Sequence, residues 1–532
     1  MKLTIAKIPL SEFTVVSHGY SDAADVLVKY ISLATGVELP VECTSLKDRH
    51  EIRLGAPDDV CKGLKLDGIK NDGFVLKEAL GNFIIRSNTE TGVLNGVYEF
   101  LHRIIGWRFL SPGIETLHSP DEDIDIAEGY TYSHNPVYEY RQVDWVSTHN
   151  EDWRKKNHIN FTDFHWQHFV HTLAFFAETN DPVGQPCLSD EEVFNKVVKN
   201  VRKVLDEHPE CKIVSVSQND NQNYCKCEKC AAVDAEEGSH AGTLIRFVNR
   251  VADALKDDYP DVSIDTLAYQ YTRKAPLITK PRDNVIIRLC SIECCFSHGL
   301  NDPDCEVNAA FKHDIIEWGK ISKRLYIWDY VTDFSYYIPP FPNWRVLKDN
   351  LQFFADNHAV GMYPEGNYNS VSGEFGELRG YLLARAMWDP YMSDEELDSY
   401  KKDFLRGYYG NGWEGIEKFI DFTLEKSHGR HFNIWTHPFD LIPREDYAAH
   451  EKEIDGWWAS AYDKADDEQK ARVDRSCMQW DAVKLYLHPN EEDGRRFYEK
   501  MKKYSVNWNE WNPLSKMKAD IDFATTPNEW IK

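Results

Sequence analysis

Apolar and polar residues follow one another in short runs in the first part of the chain, with two different spacings. The runs at residues 51–54 and 82–86 show the alternation that is typical of β-strands. The runs at residues 23–35 and 92–105 carry apolar residues at helical spacing, which indicates amphipathic helices. This mixture predicts a small α/β domain over residues 1–132, which ends in a polar and acidic segment.

The middle of the chain alternates β-rich runs with helical patterns, such as those at 191–208, 243–257 and 308–320. A strand followed by a helix, repeated eight times, is the pattern of a (β/α)8 barrel. We therefore expect a TIM-type barrel over residues 133–390. The eight runs lie at 138–145, 158–164, a position between 170 and 188, 213–217, 262–268, 285–290, 325–328 and 359–363.

Beyond residue 376 the apolar spacing becomes helical and stays so for most of the remaining chain. We expect a helical C-terminal region over residues 391–532 that packs on the barrel or follows it. The helical patterns lie at 393–408, 415–427, 444–464 and 468–487.

Composition and charge narrow the choice of partner. The chain has 61 basic and 87 acidic residues, a formal charge of -26, which would repel nucleic acid and anionic lipid. No apolar run approaches the roughly 18 residues that span a bilayer, and the start lacks the pattern of a secretory signal. We expect a cytoplasmic protein, or a secreted or periplasmic one if a signal preceded this sequence. The oligomeric state stays open.

Carboxylates follow four of the predicted strands at the end where a barrel carries its chemistry. Carboxylates beside aromatic rings suit glycosidic cleavage, because one acid can protonate the leaving oxygen while aromatic faces bind sugar rings. Such residues also cap helices or bind loop amides, so each one alone is weak evidence of catalysis. The carboxylates are Asp220, Glu293, Asp329 and Glu365, and the aromatic residues are Trp145, Tyr269, Trp328 and Tyr330. Fifteen of the sixteen tryptophans follow residue 130, and we expect most in the core and some as sugar platforms.

Three cysteines, Cys225, Cys227 and Cys230, lie within six residues and could bind a structural zinc ion. A closed zinc site needs four ligands, so the fourth would come from Cys187 or His240. The alternative is that these thiols are reduced and pack the loop. A histidine-rich stretch at residues 165–171 does not place its imidazoles on one face, so sugar binding or core packing is favoured there over a metal site.

Three runs, at residues 214–230, 284–300 and 325–342, together resemble the bacterial domain of unknown function 4838. That group is placed with glycoside hydrolase family 163, whose characterised activity is endo-β-N-acetylglucosaminidase on N-glycans. The resemblance spans residues 136–390. A further run, at residues 92–117, looks like the N-terminal domain that precedes the barrel in α-glucuronidases and β-hexosaminidases.

The resemblance implies retaining cleavage at β-linked N-acetylglucosamine, with the substrate's own 2-acetamido oxygen attacking the anomeric carbon. Its motifs make Glu293 and Asp220 the catalytic candidates, without deciding which is the acid and which orients the acetamide. Catalysis would need no cofactor, and the partner would be a glycan. The substrate-binding candidates are Asn219, Trp145, His171, Tyr269, Trp328, Asp329, Tyr330 and Glu365.

Two places depart from the family's pattern. The loop at residues 171–185 looks shorter than usual, and Glu365 is displaced by one position from the usual Glu-Gln-Gly, so we rank Glu365 below the other carboxylates. One alternative is an α-glucuronidase-like or other hexosidase, in which Arg141, Arg273 or Arg288 would bind a uronate. Another is a carbohydrate-binding barrel without catalysis.

Overall fold

The N-terminal part of the chain folds into small sheets with two helices packed on them. The computed structural model describes residues 1–46, 49–56, 64, 66–118, 122–181 and 184–531. The helices are α1 (Ser21–Thr35) and α2 (Glu90–Phe100), and α2 continues as a π-helical turn that ends at Gly106, where φ is +96°. The strands are β1 (Leu3–Ile5), β2 (Ile8–Pro9), β3 (Phe13–Val16), β4 (Val41–Glu42), β5 (His50–Leu54), β6 (Phe74–Ala79), β7 (Asn82–Arg86), β8 (Trp107–Ser111), β9 (Ile114–Leu117), β10 (Ile124–Ile126) and β11 (Thr131–His134).

The largest of these sheets has six strands in the order β11-β6-β7-β5-β3-β4, with both parallel and antiparallel pairs. β1 pairs with β2 and β10, and β8 pairs with β9. Leu27 and Ile31 of α1 and Val97 of α2 are buried in the same apolar cluster as the strands. The spacings in the first part of the chain thus correctly predicted strands β5 and β7 and both helices.

A second sheet of six strands is entirely parallel and curls into half of a barrel. Its strand order is β12-β17-β16-β15-β14-β13, so the first strand pairs with the last. Gly361 of β17 allows the Tyr326 ring to pack closely, because a Cβ atom there would lie 2.5 Å from that ring. The strands are β12 (Tyr140–Arg141), β13 (Ile213–Ser215), β14 (Ser263–Ala268), β15 (Val285–Cys290), β16 (Arg324–Tyr330) and β17 (Ala359–Glu365).

The expected eight-stranded barrel is not formed as a continuous ladder in the described residues. The second run folds as a 3-10 helix (Phe161–Phe164), and the side chain of Asn160 takes the place of a strand by accepting from the Arg141 amide and donating to the Glu139 carbonyl. The third run holds the short helix α4 (Leu173–Phe176), preceded by residues with positive φ. A single parallel bridge, between Gln167 and Val214, extends the sheet beyond β13.

Helices cover the outer face of the curled sheet, as the alternation of strands and helices predicts. α7 packs on β14 and β15, and α9 packs on β17. The helices of this part are α3 (Glu151–Lys156), α5 (Glu191–Glu207), α6 (Glu228–Glu237), α7 (Ala241–Leu255), α8 (Glu306–Ile321), α9 (Leu347–Asp356) and α10 (Gly376–Trp388).

The last part of the described chain is helical, and its core is continuous with that of the parallel sheet. The run at 468–487, expected as one helix, is divided at Cys477 into two. The division of the chain into three domains stays a prediction. The helices are α11 (Asp394–Tyr409), α12 (Trp413–Lys426), α13 (Pro438–Leu441), α14 (Arg444–Lys464), α15 (Asp467–Ser476), α16 (Met478–Leu487) and α17 (Glu491–Tyr504). Within the described residues, these and the preceding helices are too short or too polar to cross a bilayer.

A buried carboxylate joins the N-terminal part to a helix and a loop that surround the parallel sheet. Glu99 of α2 has no exposed surface, and its oxygens contact Arg385 of α10 at 2.8 Å, His158 at 2.9 Å and Arg103 at 3.0 Å. Burial alone would raise the pKa of this carboxyl, but Arg385 and the neighbouring imidazoles hold it well below its usual value. Glu99 therefore stays ionised between the two parts.

Replacing Glu99 by Gln should lower the free energy of unfolding by about 3–5 kcal/mol, because the change leaves buried cationic partners without their counter-charge. Urea unfolding followed by tryptophan fluorescence measures the change. Glu122→Gln, at an exposed position, is the matched control and should stay close to wild type. Equal unfolding midpoints for the two variants would contradict a structural role for Glu99.

Candidate active site

A cleft of about 1220 Å³ opens at the carboxyl ends of the parallel strands. Residues at or just beyond the ends of β12, β13, β15, β16 and β17 line it, and the segments around Trp435 and Trp511 add to it from far along the chain. The acidic residues that line this cleft are Asp144, Asp220, Glu293, Glu365 and Glu510.

Glu365 is the last residue of β17 and is only 7% exposed. The indole Nε1 of Trp328 donates to its Oε2 at 2.8 Å. Burial raises the pKa of Glu365 well above its usual value, the charges of Asp144 and Glu510 raise it further, and the hydrogen bond from Trp328 opposes them. Glu365 is therefore a carboxyl that keeps its proton at a pH where an exposed glutamate has lost it.

Asp144 pairs with Glu365 through a parallel bridge between the first and last strands of the sheet. The Tyr363 hydroxyl donates to its Oδ2, and His149 Nε2 lies 2.6 Å from its Oδ1. Asp144 is not among the candidates that the sequence indicates, because it falls inside the first predicted strand, directly before Trp145. The observed strand ends at Arg141, so only the folded chain places Asp144 beyond a strand end, as Asp220 is.

Glu510 reaches the cleft from the segment after α17, which carries no strand or motif that could have indicated it. Its carbonyl oxygen accepts from the Asn369 amide at 2.8 Å, and its backbone amide donates to the Phe334 carbonyl at 3.0 Å. Burial and the charge of Asp220 raise the pKa of Glu510.

Asp220 lies in the loop after β13, and both of its hydrogen-bond donors bind the same oxygen. The Tyr269 hydroxyl donates to Oδ1 at 2.9 Å and the Gln270 amide donates to it at 3.1 Å. Asn219, the preceding residue, is buried and donates to the Gly184 carbonyl at 2.6 Å. Asn219 therefore orders the loop, while Asp220 and Tyr269 line the cleft.

Glu293 lies at the rim of the cleft with 43% of its side chain exposed. Arg273 donates to its Oε2 at 2.8 Å and to Asp314 at 2.7 Å. The structure thus brings Glu293 to the cleft as the exposed member of an ion-pair network whose other carboxylate, Asp314, is buried.

Two other sequence candidates do not line the cleft. Trp328 and Tyr330 line it, but Asp329 between them points to the opposite side of β16, because successive side chains of a strand alternate. Asp329 accepts from Ser291 Oγ at 2.6 Å, and burial raises its pKa to about 6. Trp145 is buried beneath the loop after β17, where a Cβ atom on Gly366 would lie 2.5 Å from its ring, so it shapes the loop instead of meeting a ligand.

Aromatic side chains form much of the cleft surface. Trp328, Tyr330 and His171 from the sequence analysis lie there, and His171 Nδ1 is 2.7 Å from the Gln218 carbonyl oxygen. Trp435 and Trp511 were not singled out, yet they are 43% and 53% exposed at the cleft. Only the accumulation of tryptophans in the later chain pointed toward them.

The guanidinium of Arg288 lies beneath these rings on β15. It is buried, donates to Asp265 at 2.9 Å and faces the rings of Phe169 and Trp328 at 4.2 and 4.9 Å. A cation in this position stabilises the electron-rich ring faces and offsets part of the negative charge above it.

Residues 113–421 match the family model described as domain of unknown function DUF4838. This chain belongs to the DUF4838 family. No curated protein matches it.

Solved structures similar to this DUF4838 protein are distant. They include a GH138 enzyme that targets pectin rhamnogalacturonan II (10% identity, 92% of this chain and 91% of that chain, TM-score 0.45). The Flavobacterium johnsoniae chitobiase FjGH20 has 10% identity over 94% and 92% of the two chains, with a TM-score of 0.43. CpGH84B has 10% identity over 93% and 91%, with a TM-score of 0.46. Similarity at this level assigns no role to a residue of the DUF4838 chain.

The cysteine loop of this DUF4838 protein brings four sulfurs together. The Sγ atoms of Cys187, Cys225, Cys227 and Cys230 all lie within 4.8 Å of one another. Cys187 Sγ is 3.7 Å from Cys227 Sγ and 3.9 Å from Cys230 Sγ, close to the roughly 3.8 Å between two sulfurs of a tetrahedral zinc site. His240, the other candidate for fourth ligand, instead contacts Asp234 at 2.6 Å.

The backbone favours the thiolate that zinc requires at Cys227, whereas burial raises the pKa of the Cys187 and Cys230 thiols. The Cys230 amide donates to Cys227 Sγ at the start of α6 and lowers the pKa of that thiol to about 7. By their distances, the four sulfurs fit a closed four-cysteine zinc site, to which the loop that carries Asp220 supplies Cys225 and Cys227.

Cys187→Ser should remove about one equivalent of zinc from the purified protein, because three sulfurs no longer close a tetrahedral site. Elemental analysis by mass spectrometry measures the loss. His240→Ala is the control and should keep the metal. If the zinc content falls with His240→Ala and not with Cys187→Ser, the fourth ligand is His240. If it changes in neither variant, the thiols bind no zinc and only pack the loop.

Proposed function

We propose that this DUF4838 protein is a glycoside hydrolase that cleaves β-linked N-acetylglucosamine in glycans, as its resemblance to glycoside hydrolase family 163 implies. The proposal depends most on one observation: the buried carboxyl of Glu365 has a raised pKa and lies beside Asp144 in a cleft lined by aromatic rings. A proton donor next to rings that can stack on sugars is what glycosidic cleavage requires. The hydrolysis needs no cofactor.

Glu365 acts as the general acid in this proposal. Its raised pKa keeps the proton on the carboxyl at a pH where an exposed glutamate is ionised, so that the proton can be transferred to the leaving glycosidic oxygen as the bond to the anomeric carbon breaks. The Trp328 indole fixes Oε2, which leaves Oε1 to carry the proton toward the substrate.

Asp220 orients the substrate's acetamido group. Tyr269 and Gln270 both donate to Oδ1, so Oδ2 can accept the acetamido N–H while the acetamido oxygen attacks the anomeric carbon. Glu365, now a carboxylate, then takes a proton from the water that opens the cyclic intermediate. The product keeps the β configuration, because the anomeric carbon is inverted twice.

The geometry favours N-acetylglucosamine over a uronate. Each arginine that could meet a sugar carboxylate is already paired, Arg141 with Asp72, Arg273 with Glu293 and Asp314, and Arg288 with Asp265. Glu293 lies exposed at the rim of the cleft and is paired with Arg273, so its position suits binding of an outer sugar better than proton transfer.

Glu365→Gln should lower kcat/KM by about 10²–10⁴-fold on a β-N-acetylglucosaminide whose leaving group is a sugar, because the proton donor is lost. An aryl β-N-acetylglucosaminide with a strongly acidic phenol should lose much less activity, since that leaving group departs without a proton. Initial rates on the two substrates measure the difference.

The surface variant Glu210→Gln is the control for folding and handling, and it should match wild type on both substrates. The matching aryl β-glucoside lacks the acetamido group and should not be turned over. Equal losses on good and poor leaving groups would remove Glu365 from the role of acid, and full activity of Glu365→Gln together with inactive Glu293→Gln would give that role to Glu293.

Glu510→Gln should move the basic limb of the pH profile of kcat/KM to lower pH. The negative charge of Glu510 helps to raise the pKa of Glu365, so its removal lets the acid lose its proton at a lower pH. Initial rates over a series of pH values, on the β-N-acetylglucosaminide whose leaving group is a sugar, measure the position of this limb. Glu492→Gln, exposed at the start of α17, should leave the limb in place. An unshifted limb in Glu510→Gln would contradict the electrostatic coupling.

A further inference from the structure

A second group of sulfur and imidazole ligands is made of residues that neither line the cleft nor belong to the four-sulfur cluster. Cys295, His298 and Cys305 belong to the connection between β15 and α8, and His431 follows α12. One ligand atom from each of these residues lies within 4.8 Å of every other. Residues 126 positions apart in the chain thus converge on one point.

The distances fit a tetrahedral metal site. With Zn–S bonds of about 2.3 Å and Zn–N bonds of about 2.0–2.1 Å, a sulfur and a nitrogen bound to the same zinc lie about 3.6 Å apart. Cys295 Sγ is 3.2 Å from His298 Nδ1, and Cys305 Sγ is 3.8 Å from His431 Nδ1. The His298 and His431 rings are 4.4 Å apart between centroids.

The surroundings hold the ligands in place before any metal binds. The Asn308 side chain accepts from the Cys295 amide and donates to the carbonyls of Cys295 and His298. Phe296 donates its backbone amide to the Phe432 carbonyl, so the two loops are also joined by backbone. Such a preformed arrangement of ligands and their hydrogen-bonding neighbours is typical of structural metal sites.

The chemistry of the ligands selects the metal. Two thiols and two imidazoles in tetrahedral arrangement favour Zn²⁺ over the oxygen-seeking Mg²⁺ and Ca²⁺. Both cysteines are buried, so the ion would meet little solvent, while His431 lies at the surface and leaves a path for entry. Binding would release the two thiol protons and leave a neutral site of one Zn²⁺, two thiolates and two imidazoles.

We propose that Cys295, His298, Cys305 and His431 bind a structural zinc ion that joins the β15–α8 loop to the segment after α12. The first loop carries Ile292 and Glu293 to the cleft, and the second carries Ile434 and Trp435. The ion therefore fixes two parts of the cleft rim to each other. This metal site stands independently of the proposed glycosidase activity, because metal content is measured without a substrate.

Elemental analysis of the purified full-length chain tests the site. Wild type should hold about two equivalents of zinc, one here and one in the four-sulfur loop, and His298→Ala or Cys305→Ser should each remove one. His428→Ala changes an exposed histidine near the site that is not a ligand, and it should keep both equivalents. Cys187→Ser combined with His298→Ala should remove both, which separates the two sites.

His431→Cys keeps the protein testable if the other variants fold poorly. It replaces an imidazole by a thiolate and should retain the metal, and after cobalt substitution its ligand-field absorption should differ from that of wild type. Thiol titration of unfolded wild type should count all twelve cysteines. Two thiols fewer, with alkylation absent from Cys295 and Cys305, would identify a disulfide and overturn the proposal, as would zinc content unaffected by His298→Ala.

Discussion

The candidate site depends on the register between β12, the shortest strand of the parallel sheet, and β17, one of its two seven-residue strands. β12 has two residues, yet Tyr140 opposite Gly361 and Arg141 opposite Met362 set an alignment that continues to Asp144 opposite Glu365. A shift by one residue would turn one of the two carboxylates out of the cleft, since strand side chains alternate. The Asn160 amide supports β12 on its free edge, where the expected second strand is missing.

Burial of carboxylates at this edge is costly, and the surroundings lower that cost without neutralising the site. Glu365 accepts a hydrogen bond from the Trp328 indole, and Asp144 accepts one from the Tyr363 hydroxyl. The Arg288 cation lies against the Trp328 ring. None of these groups forms a direct ion pair with Glu365 among the described residues. The carboxyl therefore keeps a raised pKa, whereas Glu99, which is also buried but bound to Arg385, has a lowered one. Direct pairing with arginine is thus what distinguishes the ionised Glu99 from Glu365, the acid of the proposed reaction.

Much of this fold could be predicted from local pattern, but less of the site could. Six of the eight expected strands formed, because buried β-rich runs followed by helices leave few alternatives. The second and third did not, and the pattern of apolar residues did not indicate the positive φ values at His165 and His168 in that part of the chain. The sequence ranks Glu365 below the other carboxylates because it departs by one position from a family pattern. What distinguishes Glu365 is its burial next to Asp144, a residue 221 positions earlier in the chain, and no local pattern indicates that contact. Cys187 was one of two options for the fourth thiol-site ligand, and only the folded loop chooses between them.

The remaining members of the site come from segments without regular structure, and each is held by contacts distant in sequence. Glu510 and Trp511 are positioned by Asn369 and Phe334, and the same segment is fixed where Asn507 donates its amide to Ser370. Irregular loops lose more entropy on ordering than strands that are already paired, so they need such anchors to present side chains at fixed positions. The two sulfur clusters lie where the loops after β13 and after β15 meet segments distant in sequence, at Cys187 and at His431. Metal binding there would anchor those loops, as hydrogen bonds from side-chain amides anchor the C-terminal segment. In the proposed hydrolysis, the parallel sheet supplies the proton donor, and the anchored loops would determine which glycan can reach it.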